Sequence, residues 1–141
     1  MATWGINIFD NAAALQWFYE LRATPDLVLL INPLLRLEAN PRCSFAPCEE
    51  ALASAEIIAA LMGAPAAHLP VEIVTWAQTE PLRSVSSFAP MAARVVQHIL
   101  EGSWLKNKWC QKVEGAEWCE HVRDLEQRLG LVVRADVFSF T

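Results

Sequence analysis

The stretch "EALASAEIIAALMG" at residues 50–63 constrains the fold more than any other. From Ala51 to Met62 only Ser54 and Glu56 are polar, so a helix formed here is apolar on every face. Such a helix is stable only when it is surrounded, which makes it the central element of whatever the chain builds. Pro47 with Glu49 and Glu50 marks its start, and Gly63 its C′ position. Glu56 then lies in the middle of a buried element. It must be neutralised or given hydrogen-bond donors, because an unpaired buried carboxylate costs several kcal/mol.

Helical signals continue on both sides. In "FDNAAALQWFYELRA" Asp10 or Asn11 is placed to cap, and Ala14, Trp17, Phe18 and Leu21 recur on one face. "TPDLVLLINPLLRLEAN" opens with Thr24 as cap and Pro25 at the first helical position, while Pro33 predicts a kink or break in its middle. "PRCSFAPCEE" is the longest expected loop. A short helix over "PVEIVTWAQ" follows, then "SFAPMAARVVQHILEG" with the stripe Phe88, Met91, Ala92, Val95 and Ile99, closed by Gly102. Ser103 caps "SWLKNKWCQKV", and "EGAEWCEHVRDLEQRLG" carries Trp118, Val122, Leu125 and Leu129 on one face before Gly130. The reading is an all-α, compact single-domain bundle of about six to seven helices over residues 1–130. The remaining "LVVRADVFSFT", residues 131–141, is rich in β-branched and aromatic residues without caps. It predicts a short strand or an extended tail, covered by the domain or by another subunit.

A chain of 141 residues buries enough surface to fold without disulfides. Hydrophobic residues make up 54% and charged ones 19%, yet no apolar run reaches the ~18 residues of a membrane span. "MATWGINIFDN" has acid where a secretory leader needs base, so the expectation is a cytoplasmic protein with no membrane contact. The net charge is −5, and residues 1–62 hold seven acids against three bases. That excludes a nucleic-acid backbone as ligand and suits a basic protein partner. Cys43, Cys48, Cys110 and Cys119 match no zinc spacing, so they read as reduced thiols; neither metal nor cofactor is expected.

The opening "TWGINIFDNAAALQWFYEL" and the Ala-rich helix with one embedded Glu together resemble a bacterial domain-of-unknown-function family, number 4259. The residues that carry the likeness are Trp4, Gly5, Phe9, Asp10, Asn11 and Glu56. Where that family has a second acid after the Asn and another early in the first helix, this chain has Ala12 and Gln16. The resemblance implies an architecture and no mechanism. The need of buried Glu56 for donors gives the N-terminal segment a role. Termini fray unless tied down, so "TWGINIFDN" is expected to fold back as a plug, with Trp4, Ile8 and Phe9 filling a groove beside the central helix. Gly5 would allow a tight turn, and Glu56 would receive the plug's donors or Arg22.

Other constellations are weaker. Glu117, His121 and Asp124 share a helix face, but three ligands from one helix make a poor metal site, and a polar face behind a core stripe is ordinarily solvated. Arg94, His98 and Glu101 read the same way. His68 and Glu72 have the spacing of a base and its orienting acid, without a nucleophile motif beside them. Trp104 and Trp109 among Lys106, Lys108 and Lys112 read as core anchors among solvated lysines. Two functions remain: a protein-interaction domain, such as an immunity or antitoxin-like inhibitor, and an enzyme built round Glu56 and the N-terminal loop, with a purely structural role behind both. The binder is favoured, with Glu49 and Glu50 exposed to meet a basic partner.

Overall fold

The central helix is α3 (Phe45–Leu61), and residues 51–59 are all buried. In this computed structural model, which describes residues 3, 5–42, 44–79, 82 and 85–138, α3 packs against all six other helices. These are α1 (Ala12–Ala23), α2 (Leu27–Ala39), α4 (Val71–Thr79), α5 (Ala89–Gly102), α6 (Trp104–Cys110) and α7 (Gly115–Phe138), with a 3-10 turn at Val85–Phe88 ahead of α5. The described residues form no strand; an isolated antiparallel bridge joins Thr3 to Asn11. No described helix is long and apolar enough to cross a membrane.

The ends of α3 and α1 follow from their caps. Gly63 at φ +88° places its N–H on the Ala60 carbonyl at 3.0 Å, and the Ala64 N–H reaches the Ala59 carbonyl at 2.8 Å. This is a Schellman close, and it turns the chain back over α3. Asn11, not Asp10, caps α1: its Oδ1 accepts the Ala14 N–H at 2.8 Å. The cap of α2 is Asp26 rather than Thr24, with Oδ1 accepting the Val28 N–H at 3.3 Å.

Pro33 does not end α2, which runs unbroken through it. The ring deprives the Leu29 carbonyl of its usual donor and crowds the turn before it. Side chains from neighbouring helices make up the loss. The Trp17 indole N–H donates to the Leu29 carbonyl at 3.3 Å, and the buried Ser54 hydroxyl donates to the Leu30 carbonyl at 2.6 Å.

The expected extended tail is also corrected over residues 131–138, because α7 continues through Gly130 to Phe138; residues 139–141 lie outside the described residues. A glycine inside a helix costs only about 1 kcal/mol relative to alanine. Leu129 is buried before it, and Val132 and Val133 pack on the core after it, which holds the helical path. Trp104 is exposed rather than a core anchor: Leu105 and Trp109, four residues apart, form the inward face of α6.

Candidate functional site

Glu56 is fully buried, and its partner is Arg128 of α7. The guanidinium is bidentate, Nη1 donating to Oε2 at 2.8 Å and Nη2 to Oε1 at 2.7 Å. The loop that follows the Schellman turn brings the Ala66 N–H to Oε2 at 3.1 Å. Arg128 is committed further, donating to the Ala64 carbonyl at 2.8 Å and, through Nε, to Asp124 Oδ2 at 2.7 Å. Neither Arg22 nor any described residue of the plug, both expected to satisfy Glu56, donates to it. Arg22 instead meets Glu72 at 3.2 Å, where Tyr19 also donates, so His68 and Glu72 form no pair.

Burial raises the Glu56 carboxyl above its ordinary range, against the hydrogen bonds and charge of Arg128 and the Ala66 N–H. For Arg128 the balance is reversed. Burial opposes its charge, but the hydrogen bonds and charges of Glu56 and Asp124 outweigh it and lift its pKa. The guanidinium therefore stays charged beside the carboxylates that hold it.

A cavity of about 30 Å³ adjoins the pair, lined by Asn7, Glu56, His68, His121, Asp124 and Arg128 among others. The His68 and His121 rings face each other at 5.8 Å. Asn7 Oδ1 is buried without a hydrogen-bond partner among the described residues. The space suits one or two waters, whereas small-molecule sites occupy about 300–1,000 Å³. Among the described residues no group of three or more His, Cys, Asp or Glu side chains is arranged to hold a metal ion.

The N-terminal segment does lie over α3, and its residues carry structural tasks. Ile8 and Phe9 are buried, and the Phe9 ring stands edge-on to Phe18 at 6.2 Å. Asp10 Oδ2 accepts the Asn7 N–H at 3.1 Å while the Asp10 N–H donates to the Asn7 carbonyl at 3.0 Å, closing a turn. Gly5 has no positive φ, but a Cβ there would run into the Asp10 carboxylate and push it from its bond with the Asn7 N–H. Asn11 joins the plug to α1, its Nδ2 donating to the Ile8 carbonyl at 3.0 Å. Trp4 lies outside the described residues.

Of the two acids expected at a partner surface, Glu49 is buried. Its Oε2 accepts from the Thr3 hydroxyl at 3.5 Å, and burial raises its pKa against the nearby Lys108 charge. The reason lies in α3 itself: with every face covered, the N-terminal segment and α6 close over the side of its first turns that carries Glu49. Glu50 is half-buried, 3.8 Å from Arg36. Arg128 was not singled out by the sequence. Its one signal is its place three residues after Leu125 and one before Leu129, at the edge of the α7 core stripe.

An all-α domain wrapped round one buried Glu–Arg pair, with its N-terminal segment folded over the central helix, is the class these features define. The chain belongs to the family described as Domain of unknown function (DUF4259), whose model matches residues 2–121. The matched span includes Glu56 and the N-terminal segment and ends before Arg128. No curated protein and no solved structure matches the chain.

Proposed function

We propose that this is a cytoplasmic protein-binding domain, of the kind that holds or blocks a basic partner as immunity and antitoxin proteins do. The observation that carries the reading is the state of Glu56. Its carboxylate already has three donors, and the adjoining cavity of about 30 Å³ admits no organic substrate. An enzyme built on Glu56 needs that carboxylate open to ligand, so Glu56 acts as an internal brace and function falls to the surface.

The outer face of α1 supplies a suitable surface. Its inner stripe of Ala14, Trp17, Phe18 and Leu21 is buried, yet the opposite face still presents Ala12, Leu15, Tyr19 and Ala23. These line a broad, mostly apolar shallow groove together with Gln16 and Glu20. Glu20 lies close enough to Glu50 for its charge to raise that carboxyl's pKa, after burial and against Arg36. An apolar floor with acidic neighbours fits an amphipathic basic segment: the apolar contact supplies affinity and the acids steer approach.

The test is capture from host lysate with the immobilised protein and its Leu15→Glu/Glu20→Lys variant. A basic protein retained at low salt, weakened at high salt and lost with the variant supports the reading. Equal capture by both proteins, or a small molecule retained beside Glu56 and released by Glu56→Gln, overturns it.

A further inference from the structure

The junction of α6 and α7 brings two cysteines together. Cys110 is the last residue of α6, and Cys119 lies one turn into α7, on the same face as Gly115. The connection is tight: the Lys112 N–H bonds the Trp109 carbonyl at 2.9 Å, and the Gly115 N–H bonds the Lys112 carbonyl at 3.1 Å. The helices approach so closely that a Cβ on Gly115 would strike the Trp109 carbonyl and lie 3.3 Å from Cys110 Cα. The residue preceding each cysteine confirms the register, since the Trp109 and Trp118 rings stack at 5.9 Å with 7° between their planes. Cys110 thus packs beside Gly115, one turn before Cys119 on the same helix face, and its side chain is near enough to perturb the Cys119 thiol. One is exposed and the other buried.

We propose that Cys110 and Cys119 are a redox-active dithiol, closed to an intramolecular disulfide by exchange with a small-molecule disulfide such as oxidised glutathione. The exposed Cys110 thiolate attacks one sulfur of the oxidant, forming a mixed disulfide and expelling one glutathione thiolate. Cys119 then gives its proton to solvent, and its thiolate attacks the Cys110 sulfur and expels the second glutathione. Two protein thiols and one oxidised glutathione thus become one protein disulfide and two glutathione thiols, with two electrons passed to the oxidant. Cys119 is the slower partner, because burial and the Cys110 sulfur raise its pKa, while Arg123 and Lys106 act the other way. Exposure makes Cys110 the entry point, and packing makes Cys119 the resolving residue. The sequence gives no hint of this, because eight residues separate the two and no redox motif contains them.

The experiment is to incubate the reduced native protein with oxidised glutathione, block remaining thiols by alkylation, digest with trypsin and map the cysteines by mass spectrometry. Trypsin cuts after Lys112, so the disulfide would join peptides 109–112 and 113–123. The expected result is that cross-linked pair, together with a fall from four reactive thiols to two in the unfolded product, reversed by dithiothreitol. In Cys119→Ser, glutathione should remain attached to Cys110. The proposal is overturned if the parent protein carries stable glutathione on Cys110, or if both cysteines are recovered alkylated.

Discussion

Removing Arg128 should cost more stability than any other single change at the surface of α7. In Arg128→Met the buried Glu56 carboxylate loses two of its three donors among the described residues and keeps the Ala66 N–H. Breaking a buried pair by deleting one partner typically costs about 3–5 kcal/mol, because the remaining charge is left uncompensated. Glu56 is 0% exposed, so solvent does not relieve the loss. For a chain of this length each kcal/mol moves the melting point by roughly 3–4 °C, which predicts a fall of about 10–20 °C. The double variant Glu56→Met/Arg128→Met replaces both charges by apolar groups of similar size and should recover to within about 2 kcal/mol of the parent. Urea unfolding and calorimetry on the parent, both single variants and the double variant give the coupling energy, expected at about 2–4 kcal/mol. An Arg128→Met protein that melts within about 3 °C of the parent would refute the reasoning. So would a double variant as unstable as the sum of the singles.

Three further outcomes follow from the same structure. Phe9→Ala should lose about 3–4 kcal/mol, as for other large-to-small core changes, measured by urea unfolding; a loss under about 1 kcal/mol would mean the N-terminal segment is not part of the core. Glu49 has its carboxyl pKa raised by burial, so the folded state binds its proton more readily than the unfolded chain. Its stabilising contribution is therefore present at acid pH and lost as pH rises through the folded pKa. Glu49→Gln should flatten the decline in melting temperature between about pH 4.5 and neutrality, and an unchanged slope would assign that decline to other groups. Gly63→Ala should cost about 1–2 kcal/mol by forcing a Cβ into a φ of +88°, although space is open around it, and an unchanged unfolding midpoint would show that the loop relaxes.

What could be read from the sequence was what local chemistry determines. The surrounded α3, the stripes of α1, α5 and α7, the Ser103 cap and the Gly63 close depend on residues a few positions apart. The burial of Glu56 followed from its neighbours along the same helix. What could not be read depends on contacts between distant segments. Pro33 is tolerated because Trp17 and Ser54 reach the carbonyls it disturbs. Arg128 reaches Glu56 across 72 positions, and no periodicity encodes that choice over Arg22. Glu49 resembles an N-terminal helix acid in sequence and becomes buried only when Thr3 and α6 close over it. Gly130 carries the ordinary signal of a helix end, overridden by the packing of Val132 and Val133.

The most direct measurement is a binding titration of the captured partner against two variants that leave different parts of the molecule intact. Leu15→Glu/Glu20→Lys alters only the outer face of α1, while Glu56→Gln removes the buried charge and keeps the shape of the brace. Affinity should fall at least tenfold, about 1.4 kcal/mol, for the α1 variant and stay parent-like for a folded Glu56→Gln protein. Parent-like affinity in the α1 variant together with lost binding in folded Glu56→Gln would contradict binding through the α1 face.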